Sequence, residues 1–326
     1  MTSPFTHNRT ASGNDFLSRK KDVNQIAANI GNGTHTVIYE PPKTGKQSAV
    51  RMAVSMLDQS AYRLTDIDLQ NAPFITDPDC RTDTSDILTY IFPKRKDTSR
   101  RDIVYIRNFQ NILKLDNWDR VLAAASREMP SDGSTVYVIT GSGINAMKYI
   151  FEVQKHFYRM YDRVTLSPID ERAVTEHISK TFLRVGRVVE QEQAEYIYDI
   201  VDGHPWYIWQ IADICFNLTK GYLSNTVITE AISTMLYIHS VRFSGIMDNL
   251  SRYQVYFLKA VFDGIAKASS ADVISAYHLN SSANVHRLKE ALTKKEVLVF
   301  DSQDTPRIID PLFRLWLERF YFKTEE

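Results

Sequence analysis

The sequence predicts an α/β fold in its first half, a parallel sheet covered by helices, then a helical segment and a small unit of three helices closed by a β hairpin. Three observations carry this expectation. Short apolar runs alternate with helix-type segments from about Phe16 to about Thr165, the order that builds βαβ crossovers. The stretch VIYEPPKTGKQSAV, residues 37–50, passes from an apolar run through a turn-rich loop with Gly45-Lys46 into a helix pattern. That is the strand, loop, helix order that cradles phosphates. From about Leu250 to Phe322, three helical patterns precede two β runs around a polar turn, which is the winged helix-turn-helix order.

The elements follow in chain order. THTVIYE reads as the first strand and KQSAVRMAVSML as the helix after the loop; AYRLTDIDL, DIVYIRNF and STVYVITGS read as further strands, with DRVTLSPI a fifth. Apolar runs bounded by polar turns suit strands buried on both faces. The polar stretch TDPDCRTDTSD lacks periodicity and is expected on the surface. From Asp170 to about Ser240 the pattern is helical. DERAVTEHISKTFLRVG starts with acidic residues and ends near Gly186, and a Gly203-His204-Pro205 junction separates two more helices. SNTVITEAISTMLYIHS reads as another helix, and PLFRLWLERFYF as a closing one. The expected division is a flexible N-terminus at 1–15, an α/β domain at 16–168, a helical domain at 169–245 and a winged-helix domain at 246–326.

Composition narrows the function. Of 326 residues, 39 are basic and 39 acidic, so no global field attracts DNA or a membrane surface. Cys80 and Cys215 are the two cysteines and lie far apart, which suggests reduced buried thiols rather than a metal site. The eight histidines show no ligand spacing. The polar N-terminus has no apolar leader and no stretch approaches a membrane span, so a soluble cytoplasmic protein without membrane contact is expected.

The ordered motifs resemble the ATP-binding proteins common in archaea and Bacteroidetes, a P-loop branch near the AAA+ and STAND ATPases. FLSRKKDVNQI is similar to that family's leading F-x-x-R-E-x-E segment, PPKTGK to its Walker A loop, and IVYIRNFQNI to its Walker B strand with the Phe109-Gln110 tail. VYVITGSGINAMKYIF resembles the strand ending in Gly-Ser, and HFYRMYDRVTLSPI the element after it. DGHPWYIWQIAD resembles the lid turn and IIDPLFRLWL the closing D-P-L-F-x-x-W. The resemblance spans nearly the whole chain. It implies a P-loop NTPase sheet, an α-helical lid and a C-terminal winged helix. It also implies a nucleotide site at Lys43, Thr44, Gly45, Lys46, Gln47 and Ser48, with Arg107 at the Walker B position and Ser142 at the sensor position.

Set against that pattern, the residues for metal chemistry are missing. A P-loop holds phosphate through backbone N–H groups, a helix N-terminus and one lysine. Gly45 and Lys46 are present, but Glu40 stands at the first-glycine position, and Pro41 and Pro42 remove two N–H donors. Gln47 stands where a hydroxyl should hold Mg²⁺. Ser48, one residue on, points about 100° round the helix. The Walker B pair is Arg107-Asn108: an arginine repels Mg²⁺, and an asparagine is no general base near neutral pH. ATP bound weakly or without Mg²⁺, and no hydrolysis, is therefore expected.

Two readings of Arg107 are open: its guanidinium replaces the charge of Mg²⁺ at the phosphates, or it pairs with Glu40. Ser142 is expected to cap the next helix. Arg159 and Arg163 are expected in local salt bridges rather than as arginine fingers, and His204 is either a base-contacting or a packing residue.

An active ATPase would need a non-standard metal site, built from Ser48 or from Asp66 and Asp68 on the neighbouring strand. A DNA-binding winged helix would use residues 282–296, where His286, Arg287, Lys289, Lys294 and Lys295 are offset by Glu290 and Glu296. The wing turn DSQDTP is acidic. A protein partner or self-association is therefore favoured over nucleic acid, with the chain as a nucleotide-sensing or protein-interaction module.

Overall fold

The structure, a computed structural model, describes residues 3–13, 16–77, 83–93, 99–129 and 134–322. Two compact units divide the chain: Thr10–Pro168, and Met1–Arg9 together with Ile169–Glu326.

In the first unit the element order is α1 (Lys20–Asn32), β1 (Thr36–Tyr39), α2 (Lys46–Ser55), β2 (Tyr62–Asp68), α3 (Pro73–Thr76), α4 (Thr84–Ile91), β3 (Arg101–Arg107), α5 (Trp118–Glu128), β4 (Thr135–Gly141), α6 (Ile144–Lys148) and β5 (Asp162–Arg163). The strands form one parallel sheet in the order β2-β3-β4-β1-β5. β1 and β4 are buried at every residue, as their unbroken apolar character demands, whereas β2 at the edge is mostly half-exposed. Val23, Ile26 and Ile30 of α1 and Ala49, Val50 and Ala53 of α2 pack on Ile38, Tyr105, Val136 and Val138 of the sheet. Because β1 lies beside β4 rather than β2, chain connections diverge at its carboxyl end. Open α/β sheets bind ligands at such a switch point. The polar stretch around Cys80 lies largely outside the described residues; α4 begins after it, capped by the Asp83 carboxylate on Asp86 N–H.

The second unit contains α7 (Glu171–Leu183), α8 (Gln191–Asp199), α9 (Pro205–Leu218), α10 (Asn225–Asp248), α11 (Arg252–Phe262), α12 (Ala271–Ala276), α13 (Ser282–Lys294), β6 (Leu298–Phe300), β7 (Pro306–Ile308) and α14 (Pro311–Trp316). Local signals set the helix starts. Asp170 caps α7, Glu190 and Gln193 form a capping box at α8, and Pro205 opens α9. β6 and β7 pair antiparallel, Leu298 opposite Ile308, completing the winged helix. Asp310 ties the start of α14 to α9 and α10. Its carboxylate caps α14 at Leu312 and Phe313, accepts from Tyr207 Oη at 2.9 Å and pairs with Arg242 at 2.9 Å.

One expectation is corrected here. α10 was expected to end near Ser240; it runs unbroken to Asp248. Its buried stripe continues through Phe243 and Met247, and Phe243 packs on Phe313 and Trp316. Near the start of the described chain, Phe5 is buried among aromatic rings of α7 and α9.

Candidate functional site

The loop from Glu40 to Gly45 leaves the carboxyl end of β1 and enters α2 at Lys46. Lys43 and Gly45 are both left-handed, at φ 62° and 93°, with Thr44 between them. Such alternation curls successive backbone N–H groups into an anion-binding concavity, here continued by the unsatisfied N–H groups of the first turn of α2. Gly45 is required by its φ, which disfavours any side chain; a Cβ would also stand 3.2 Å from the Arg19 guanidinium, a tight contact. Gly45→Ala should therefore cost about 1–2 kcal/mol, read by denaturant unfolding.

Lys46 is folded into the loop. Its Nζ donates to the carbonyls of Glu40 and Pro41, at 2.8 and 2.7 Å, and it is 8% exposed. Burial pulls its pKa down to about 7; the Glu40 charge opposes this and Arg19 adds to it. The Glu40 carboxylate turns away to accept from Leu166 N–H at 3.2 Å. Burial raises the Glu40 pKa, against the Leu166 bond and the charges of Lys46, Arg163 and Arg19. Thr44 Oγ1 closes the loop on the Pro41 carbonyl at 2.9 Å.

Arg19 is a second cation at this loop that sequence reasoning passed over. Its guanidinium donates to the Thr44 carbonyl and, through Nε, to Ser167 O at 2.6 Å. Asp22 fixes the same segment by accepting from Ser167 N and Oγ, at 2.7 and 2.9 Å. The signal was present: Arg19 is the arginine of the FLSRKKDVNQI segment.

The Walker B position holds a different construction. Parallel pairing sets Arg107 beside Asp68 and Tyr105 beside Asp66. Arg107 Nε meets Asp66 Oδ1 at 2.7 Å and its Nη1 meets Asp68 Oδ2 at 3.0 Å. Burial disfavours the Arg107 charge, but the two carboxylates outweigh it and raise the pKa. Asp66 is also bound by Arg51 at 2.9 Å, and Asp68 by Asn108 Nδ2 at 2.7 Å. Of the two open readings, the pair with Glu40 does not form; Arg107 pairs with Asp66 and Asp68 instead, which neutralises the guanidinium where it sits.

The remaining residues divide plainly. Ser48 Oγ accepts from Ala11 N–H at 3.0 Å. Ser142 was expected to cap α6, but that helix starts at Gly143 without a side-chain cap, and Ser142 N–H donates to Gln110 Oε1 at 3.3 Å. Gln110 can come so close because Gly141 has no Cβ, which would lie 2.9 Å from that oxygen. Arg163 pairs with Glu152 at 2.8 Å and lies over the Tyr39 ring, and Arg159 lies over Tyr158. His204 packs on Tyr207 at 4.5 Å.

These donors fit an anion: a concave backbone, a helix N-terminus, Lys46 and Arg19. They do not fit Mg²⁺. Gln47 offers no hydroxyl, Ser48 is engaged by Ala11, and the nearby carboxylates are taken by Arg107, Arg51 and Asn108. No cluster of three or more His, Cys, Asp or Glu suited to a metal occurs among the described residues. No helix among them is long and apolar enough to cross a membrane.

On the winged helix, Lys289 and Lys295 have partners within the fold, while His286, Arg287 and Lys294 are exposed. Lys289 pairs with Asp304 of the wing turn and lies over Phe300. Lys295 donates to Asn249 O at 2.7 Å, and His286 faces Glu290 at 3.6 Å.

Comparison with known proteins agrees with this architecture. Residues 241–319 match a family model described as a probable winged helix domain. The Walker-type ATPase of Pyrococcus abyssi is similar in structure, with a TM-score of 0.71 at 15% identity over 96% of this chain and 99% of that one. The Aeropyrum pernix ORC2 protein, solved in ADPNP–ADP complexes, gives 0.63 at 14% identity over 94% and 93%. The Holliday junction branch migration motor RuvB of Thermotoga maritima gives 0.51 at 13% over 93% and 96%. No curated protein matches the chain by sequence. The chain therefore has the P-loop ATPase fold, a five-stranded parallel sheet with surrounding helices, joined to a C-terminal winged-helix domain.

Proposed function

We propose that this protein binds the phosphates of an adenine nucleotide without Mg²⁺, does not hydrolyse it, and acts as a nucleotide-sensing, protein-interaction module. The observation that carries the reading is the Arg107–Asp66–Asp68 network, which puts a neutralised cation where the fold needs a metal-holding carboxylate. Retention of Lys46, Gly45 and the curled loop supports phosphate binding. That the A. pernix ORC2 protein was solved with ADPNP and ADP supports the choice of nucleotide. Incubation with ATP and Mg²⁺ should release no phosphate above the level of a Lys46→Ala control; Mg²⁺-dependent release that this substitution removes would sink the proposal.

Lys46 makes binding pH-dependent. Its pKa of about 7 lies below the ordinary lysine value, so above pH 7 the free protein holds it neutral, whereas phosphate favours the ammonium. Nucleotide binding at pH 8.5 should thus take up close to one proton, and at pH 6 almost none. Calorimetry in buffers of different ionisation enthalpy measures this directly. The same shift acts on folding with the opposite pH trend. The unfolded chain binds the extra proton between pH 7 and the ordinary lysine pKa, so this group lets stability rise with pH in that window.

The winged helix serves protein contact in this reading, because Lys289 and Lys295 already have partners and the wing carries Asp301 and Asp304. Duplex binding that weakens steeply with salt would argue for DNA instead.

A further inference from the structure

α7 and α9 form an aromatic socket within the helical unit. Trp209, Asp213 and Phe216 follow one another along one face of α9. Phe216 and Phe182 of α7, both fully buried, meet edge to face at 5.2 Å, while Trp209 and His177, half-buried, meet at 5.6 Å. Residues 3–9 belong to the same unit and fill the socket. Phe5, 5% exposed, stacks on Trp209 at 6.0 Å and meets Phe182 at 5.7, Phe216 at 6.0 and His177 at 6.3 Å. The segment is neither helix nor strand. Its bonds from Phe5 N–H to Ser3 Oγ, at 3.3 Å, and from Arg9 Nε to Thr6 Oγ1, at 3.0 Å, stay within it.

This occupant fits its aromatic contacts better than its polar one. Two residues after Phe5, His7 Nε2 stands 3.9 Å from Asp213 Oδ2, beyond hydrogen-bond reach. The buried His7 Nδ1 has no hydrogen-bond partner among the described residues. Asp213 Oδ1 accepts from Asn217 Nδ2 at 3.3 Å, and Oδ2 is the oxygen nearer the segment. Phe5 therefore anchors the segment, whereas burying an imidazole nitrogen without a partner weakens its hold.

We propose that the α7–α9 socket is a recognition site for a protein segment with an aromatic residue followed two positions later by arginine, and that residues 3–9 are its displaceable resident. The aromatic side chain repeats the contacts of Phe5. The arginine reaches Asp213 with a charge-assisted bond that His7 does not make, and leaves no imidazole nitrogen orphaned. An incoming segment competes with a tethered one, whose effective concentration is high, so this added bond decides whether displacement occurs. The site stands apart from the nucleotide reading and from the contact assigned to the winged helix; failure of either leaves it intact.

Fluorescence polarisation with labelled peptides tests it on the full chain. The Phe5→Ala protein, its socket vacated, should bind the peptide SPFTHNR, and should bind the His7→Arg version of that peptide about tenfold more tightly. The Phe5→Ala version of the peptide should not bind. Asp213→Asn in the same protein should abolish the preference for arginine. The unsubstituted protein should bind both anchored peptides about tenfold or more weakly, because its own segment competes. On that protein an excess of the His7→Arg peptide should speed hydrogen exchange at residues 5–9, a readout that depends on no variant folding. No binding to the Phe5→Ala protein together with unchanged exchange would overturn the socket. Binding to the Phe5→Ala protein alone, with unchanged exchange in the unsubstituted one, would refute displacement. Equal binding of all three peptides would refute the aromatic anchor. A preference for arginine that is missing, or that survives Asp213→Asn, would refute the role of Asp213.

Discussion

If the loop binds ATP as proposed, Lys46→Ala should lower its affinity about 10- to 100-fold, the largest loss expected from any single substitution at the loop. The magnitude follows from a charge-assisted hydrogen bond to phosphate, worth about 1.5–3 kcal/mol. Without Mg²⁺ the lysine carries more of the anion's charge than it would in a metal-assisted site. The effect is offset in part because the free lysine already donates to the Glu40 and Pro41 carbonyls, bonds that phosphate must replace. Those carbonyls lose a buried donor in the variant, so affinity and stability should be measured together. A calorimetric titration gives the first and urea unfolding the second. Lys46→Ala that binds ATP as well as the unsubstituted protein would place the phosphates somewhere else.

Arg107→Ala destabilises the first unit by about 2–3 kcal/mol. Two charge-assisted bonds are lost, each of about 1.5–3 kcal/mol, discounted because the three side chains are roughly a fifth to a quarter exposed. Asp66 keeps Arg51 and Asp68 keeps Asn108, but two carboxylates on one face of β2 then repel each other with no guanidinium between them. Millimolar Mg²⁺ should recover part of the lost thermal stability in this variant and change that of the unsubstituted protein little. If Arg107→Ala unfolds at the same temperature as the parent, the network is not what holds this edge of the sheet.

The strands, the phosphate loop and the winged-helix order were legible because each is local. Buried strands show as unbroken apolar runs, helix starts as Asp, Ser or Glu caps, and the loop as Gly45-Lys46 between a strand and a helix. What depends on register or distant contact was not. Asp66 and Asp68 were noticed as carboxylates near the site, but only the β2–β3 pairing reveals that they hold Arg107. Glu40 was one of two partners considered for Arg107, whereas the Leu166 N–H, far along the chain, takes its carboxylate. Phe5 lies in a polar stretch without periodicity, so nothing local announces that α7 and α9 form a socket for it. The helical reading stopped near Ser240, while burial of Phe243 and Met247 carries α10 on to Asp248.

The proposed function requires this P-loop fold to hold a nucleotide without a metal. Calorimetric titration with ATP, once in excess EDTA and once in excess Mg²⁺, tests it most directly. Metal-free binding should appear in both buffers, with dissociation constants within about threefold of each other, a difference under 1 kcal/mol. Binding only with Mg²⁺, or in neither buffer, would contradict it.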